Sequence, residues 1–367
     1  MPKVPMLPAP CSLLPAPCSL FQQLNLLLSD YLYRQYNYHN LMKNLNFKSH
    51  QIAPMAAIFT VWLTYMVHTN QWDLFIHNWF MSVTMMFASF IAGATAEGGG
   101  AVAFPIMTII FQIEPEVARN FSLAIQSIGM TSAAYLILTR KIPIEKNYLL
   151  LCSWGGIGGV ILGSYYIAPL ISPPYAKMFF VSLWLSFGIA LFYLNMKRSR
   201  SVFETLPPLS SGEKKLFIFL GFVGGIVVSI VGSGIDILTF SVVTIRYRLS
   251  EKVATPTSVC LMAGNTIVGF VLHLFFLNDF GIQEFNYWLV CIPVVILGAP
   301  LGAYFISNRS RKFITNVLYF ILLAQFVGAL FVIQPTGGLA WFTLSILISG
   351  LIVFLSLAVL AEKNSIT

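Results

Sequence analysis

The chain is built from apolar runs that no soluble core of this size would need. They fall at residues 52–68, 79–113, 117–139, 147–169, 175–196, 216–246, 253–275, 287–306, 312–333 and 338–360. Helical runs of about 18 residues or more can cross the hydrocarbon of a bilayer. Charged residues are 9% of the chain, against roughly 25% in a soluble domain, and mean hydropathy is +0.80. A membrane β-barrel would show shorter alternating segments instead. The expected fold class is therefore an all-α polytopic membrane protein. Two runs, 79–113 and 216–246, are broken by glycine clusters. The expectation is about eight full spans plus two re-entrant or broken helical hairpins.

Positive charge fixes the orientation, because cytoplasmic loops are rich in Lys and Arg. Arg140, Lys141 and Lys146 follow one run, and Arg246, Arg248 and Lys252 follow another. Arg309, Arg311 and Lys312 follow a third, and the linker 197–215 carries Lys197, Arg198, Arg200, Lys214 and Lys215. All four segments are placed in the cytoplasm. The loops 69–78, 276–286 and 334–337 have no Lys or Arg and are placed outside. Each broken run then enters and leaves on one face, the first dipping from outside and the second from inside. The net charge of +8 belongs to these loops, so no nucleic-acid partner is expected. Both termini are expected in the cytoplasm.

Other features exclude more than they offer. Cys152, Cys260 and Cys291 lie in apolar runs and read as small buried hydrophobes, and Cys11 and Cys18 complete no CxxC. The histidines form no metal-ligand cluster, and no Walker motif or Ser/His/Asp set appears. No cofactor, metal or catalytic residue is expected. Leu7–Leu13 repeats without change as Leu14–Leu20. Residues 1–50 are therefore expected to be a low-complexity, disordered extension, with Met42 and Met55 open as alternative starts.

The two breaks are related. Ala94-Thr-Ala-Glu-Gly-Gly-Gly-Ala-Val-Ala-Phe104 and Ile230-Val-Gly-Ser-Gly-Ile-Asp-Ile-Leu-Thr-Phe240 lie 136 residues apart. At that offset Gly98 matches Gly234, Phe104 matches Phe240, Thr108 matches Thr244 and Ser122 matches Ser258. After a shift of three, Gly159-x-x-x-Gly163-x-Tyr165 matches Gly298-x-x-x-Gly302-x-Tyr304. The expected organisation is an extra N-terminal helix in 51–78, a first repeat in 79–196, the linker 197–215, a second repeat in 216–333, and an extra helix and tail in 334–367. The repeats have inverted topology, a pattern of secondary transporters whose broken helices hold the substrate.

Broken backbone is tolerated in a bilayer only against protein or a watery cavity. Gly98, Gly99, Gly100, Gly232 and Gly234 let the chain turn and let a ligand approach it, and Ser233 is a further substrate-binding candidate. The returning arms are expected to start near Ala101 and Ile235, where free N–H groups and the helix dipole favour an anion. Tight packing is the alternative use of these glycines. Glu97 and Asp236 cost on the order of 2.5–3.5 kcal/mol each at such depth. They serve either as proton or cation coupling groups or as caps of the returning helices. Ser122 and Gln126 share one helix face, and Thr257, Ser258 and Asn265 line the related helix. They complete an anion site or bond between helices. Gly159, Gly163, Gly298 and Gly302 read as close helix packing.

The Glu97-Gly-Gly-Gly-x-x-x-Phe-Pro105 segment, Ala118-x-x-x-Ser-Leu123, Ala254-Thr-Pro-Thr-Ser258 and the Gly298-x-x-x-Gly302 helix resemble the sulfite exporter TauE/SafE family over roughly residues 80–360. The resemblance implies a secondary transporter in the plasma membrane that moves small anions, such as sulfite or organosulfonates, usually outward. The function expected is thus export of a small anion by alternating access, with the substrate and the lipid bilayer as partners and homo-oligomer formation left open. The alternatives are an anion channel, a membrane-embedded enzyme or a non-transporting scaffold.

Overall fold

A computed structural model describes residues 49–196 and 202–363. The tandem heptads, Cys11, Cys18, the proposed extension up to residue 48 and the linker cations Lys197, Arg198 and Arg200 lie outside the described residues. The chain divides into two compact units, Met1–Ile52 and Ala53–Thr367. Of the first, only the opening turn of a helix is described. The second holds everything that follows.

Among the described residues the protein is helical throughout. The helices are α1 (Ser49–Thr69), α2 (Asp73–Ala94), α3 (Gly98–Pro105, continued by a π-turn at Ile106–Ile110), α4 (Pro115–Thr139), α5 (Lys146–Leu162) and α6 (Pro173–Met196). After the linker come α7 (Ser211–Val231), α8 (Ile235–Ile245), α9 (Glu251–Val271), α10 (Ile282–Ser307), α11 (Arg311–Ile333) and α12 (Gly337–Lys363). Ten of these are long and apolar enough to cross a membrane, and α3 and α8 are the short ones. The chain is an all-α polytopic membrane protein.

Both expected breaks exist, but the arms before them differ from expectation. The sequence suggests first arms of about 13 to 18 residues; α2 has 22 and α7 has 21, each long enough to cross. The extra length has local causes. In α2 it is a turn before Asn78, whose φ of −119° and ψ of 20° kink the helix. In α7 it is a capped first turn: Ser210 accepts from the Glu213 amide, and Glu213 accepts from the Ser210 amide. The first returning arm starts at Gly98, not near Ala101, so the three glycines form its opening turn and the break itself is Thr95–Glu97. The second starts at Ile235, as read from the sequence.

Helix neighbours repeat between the two halves. α2 packs along α10 as α7 packs along α5, and α4 packs on α10 as α9 packs on α5. α4 meets α9, and α6 meets α11. Glycines make the first pairing possible. A β-carbon on Gly159 would fall 2.0 Å from the Phe222 carbonyl oxygen, and one on Gly302 would fall 2.0 Å from that of Phe90. Gly163 abuts Ile226 and Gly302 abuts Phe90, positions again 136 apart. Backbone approach this close is the small-residue packing that bilayers favour. α12 packs on α6 through Phe187–Phe354 and Tyr175–Phe342 ring contacts. α1 is tied to α10 by the Trp62 indole N–H donating to the Leu289 carbonyl at 2.8 Å.

Candidate anion-binding site

The two breaks meet in the buried centre. The Ser233 hydroxyl donates to the Glu97 carbonyl at 2.9 Å. These are equivalent positions at the repeat offset, so the pseudo-twofold axis passes between the tips. Gly98 (φ +69°), Gly232 (φ +77°) and Gly234 (φ +128°) sit where side chains are strained. Gln126, on α4, clamps the second tip: its Nε2 donates to the Gly232 carbonyl at 2.8 Å and to the Ser122 carbonyl at 3.0 Å. Those two bonds fix which end of the amide is the acceptor.

Oxygens crowd around Gly98. A β-carbon there would lie 2.7 Å from Asp236 Oδ2, 2.7 Å from Ser233 Oγ and 2.8 Å from Gln126 Oε1. Asp236 Oδ1 accepts from the Gly234 amide at 3.2 Å and the Ile237 amide at 3.0 Å, which caps the first turn of α8. Among the described residues, Asp236 Oδ2, Gln126 Oε1, Ser122 Oγ and Glu97 Oε1 have no hydrogen-bond partner. Glu97 Oε2 accepts instead from Gln325 Nε2 on α11. At the start of α3 the Thr95 hydroxyl accepts from the Glu97 amide at 3.4 Å, and the Glu97 side chain itself makes no cap bond. The unmatched oxygens thus come from both tips and from α4.

The expected site residues divide. Glu97, Gly98, Gly99, Gly100, Ser122, Gln126, Ser233, Gly234 and Asp236 are brought together at the tips. Asn265 stands behind the start of α8, its Oδ1 without a partner and close to Gly156. Thr257 and Ser258 serve structure elsewhere: Thr257 Oγ1 accepts from the Glu145 amide at 2.9 Å, and the Ser258 hydroxyl donates to the Thr255 carbonyl. Sequence reasoning passed over Gln325 and Lys177. Each is a lone polar group inside an apolar run, which was the available signal.

A cavity of about 440 Å³ enters from the side of the α4 N-terminus and stops short of the tips, lined by Phe104, Glu116, Arg119, Ser164, Ile230 and Asp279 among others. Arg119 bonds Asn120 at 3.0 Å and pairs with Glu116 at 3.2 Å and Asp279 at 3.4 Å. His273 Nδ1 lies 2.8 Å from Asp279. Burial pushes the Asp279 carboxyl up, but the His273 ring and the Arg119 guanidinium outweigh it and hold the group below the ordinary carboxylate value.

The opposite side has a counterpart of only about 10 Å³, lined by Gly93, Lys252, Thr255, Ala303 and Ser307 among others. Glu116 and Arg119 correspond to Lys252 and Thr255 at the offset of 136, and Ser164 and Ala168 to Ala303 and Ser307 after the shift of three. Equivalent residues therefore line an open cavity on one side and a closed one on the other.

The model of the sulfite exporter TauE/SafE family matches residues 81–329. The chain belongs to this family. Its members are membrane transporters of anions, so this multi-pass helical protein is a membrane transporter. No curated protein and no solved structure matches the chain. The matched region contains both breaks, Gln325 and the residues that line the open cavity.

Proposed function

We propose that this transporter exports a small oxyanion or organosulfonate, sulfite being the first candidate, across the plasma membrane by alternating access. The observation that carries the reading is the pair of equivalent cavities, one open and one closed. Exchange of conformation between inverted repeats would close the open cavity and open its counterpart without rebuilding the site. The positive-inside pattern puts the 440 Å³ cavity outside and both termini in the cytoplasm. The two tips then dip from opposite faces. The amides of the α3 start and the Ser122 hydroxyl hold the anion. Asp236 carries the coupling proton: its Oδ2 is a buried acceptor without a partner beside Gly98. Glu97, tied to Gln325, is the second coupling candidate. The group is a transporter site with no enzyme chemistry assigned to it.

Single-cysteine labelling separates a carrier from a channel. S164C should react with an impermeant thiol reagent from outside while A303C stays protected from inside. A saturating sulfite gradient should shift both in opposite senses. Simultaneous reactivity of both sites would favour a channel and sink alternating access. Sulfite and sulfonate uptake into proteoliposomes tests the substrate class directly.

A further inference from the structure

The floor of the open cavity is the ring of Phe104. The same ring walls a second void of about 20 Å³, bounded also by Gly100 at the first tip, Phe180 on α6 and Val231 at the end of α7. Phe104 therefore stands between the cavity and the tip. Lys177, in the second turn of α6, holds its ammonium 5.5 Å from the ring centroid and also lines the small void. Lys177 is half-buried, and among the described residues it makes no ion pair and no hydrogen bond. A cation in a membrane-spanning segment needs a counter-charge or water, and one whose only partner is an aromatic face keeps most of its charge available. Arg119, the cation that lines the open cavity, is already paired with two carboxylates.

The second half lacks this device. Phe240, equivalent to Phe104, is fully buried and meets the Phe187 ring edge-on at 6.0 Å. α11, the counterpart of α6, has no Lys or Arg after Lys312. The ammonium on the Phe104 ring is thus particular to the open side.

We propose that Lys177 is an anion-binding residue and Phe104 its gate, so that a small oxyanion at the boundary of cavity and tip draws the ammonium off the ring and frees the ring to swing. The proposal rests on the carrier reading above and adds the charged subsite that reading lacks. The compact, strongly hydrated ammonium suits a sulfite or sulfonate oxygen as a point charge. The flexible stem lets it follow the anion from one side of the ring to the other.

The test compares wild type with K177Q, K177R and F104L by two readouts, thermal stabilisation by sulfite and sulfite uptake into proteoliposomes. K177Q should raise the half-saturating sulfite concentration at least tenfold in both, and K177R should stay within threefold of wild type. F104L should leave half-saturation within threefold and speed initial uptake at least threefold, because the seal over the tip is lost. Equal half-saturation in K177Q and wild type overturns the binding role, and an F104L no faster than wild type overturns the gate. A wild type neither stabilised nor loaded by sulfite or a sulfonate overturns the carrier reading itself and takes this one with it.

Discussion

At the first hairpin tip the carboxylate leaves its own helix; at the second it stays. Glu97 reaches across to Gln325 on α11 and makes no cap bond at the start of α3. Asp236 turns back onto the Gly234 and Ile237 amides of its own first turn. The arms differ to match. α8 runs eleven regular residues, whereas α3 runs eight and then loosens into a π-turn at Ile106–Ile110. Neither helix has a side-chain bond from its N-cap residue, so the difference lies in where the carboxylate is held. The two tips differ in contacts: α11 holds the Glu97 carboxyl, and its own helix start holds that of Asp236. A symmetric exchange of cavities needs equivalent backbones. An anion site and a proton site need unequal side chains. In the proposed carrier the tips would meet both demands through a shared main-chain break and different carboxylate contacts.

The sharpest way to break this comparison is at Gly98. Gly98→Ala puts a methyl within 2.7 Å of Asp236 Oδ2 and Ser233 Oγ at a φ of +69°. Left-handed backbone alone costs a non-glycine residue about 1–3 kcal/mol. Sulfite uptake should fall by roughly a hundredfold, since about 2.7 kcal/mol corresponds to two decades. Gly99→Ala meets nothing nearer than the Ala92 methyl at 3.4 Å and should transport at close to the wild-type rate. Equal losses at the two positions would show that the tip tolerates no change at all and that the oxygen cluster has no special part.

A smaller effect separates the carboxylates. Asp236→Asn keeps an oxygen for the two α8 amides but cannot release a proton. The fold should hold while acceleration by an imposed pH gradient drops about tenfold, and anion exchange without a gradient should persist. Glu97→Gln still accepts from Gln325 and should lose no more than about half of that acceleration. If Glu97→Gln abolishes the response and Asp236→Asn spares it, the roles assigned to the tips are reversed.

A third effect, read in stability and not in transport, lies in packing. Gly159 and Gly298 are equivalent, but a β-carbon on Gly159 strikes the Phe222 carbonyl at 2.0 Å, whereas on Gly298 it strikes the Ser89 hydroxyl at 2.1 Å. Main chain cannot turn aside, and a serine rotamer can. Gly159→Ala should destabilise by about 2–3 kcal/mol and Gly298→Ala by about 1 kcal/mol or less, read from unfolding in detergent. Similar losses would mean that α2 and α7 are held with equal rigidity.

Periodic apolar length was enough to read α4, α5, α6, α9, α10, α11 and α12 from the sequence within a few residues. Charge between runs gave an orientation, and glycine clusters marked both breaks. Helices that must satisfy their own backbone in lipid leave a strong local signature. The candidate site was legible where it coincides with that signature, at Glu97, Gly98–Gly100, Ser233, Gly234 and Asp236. Ser122 and Gln126 followed from helical spacing. Thr257 and Ser258 had the same polar pattern, and their hydroxyls turned out to bond Glu145 and Thr255. A hydroxyl stripe does not reveal which neighbour it meets.

What the sequence by itself determined is the local part: a membrane-spanning helical chain, two interrupted runs and a 136-residue internal echo. Each follows from composition and spacing along one helix. The tertiary structure alone decided that Ser233 meets the Glu97 carbonyl, that Gln325 reaches Glu97 across 228 residues, and that Lys177 lies on the Phe104 ring. It also decided that one of two equivalent cavities is open. Those outcomes depend on how helices from different halves cross, and the crossing is set by backbone-to-backbone packing at glycines whose partners lie far away in the chain.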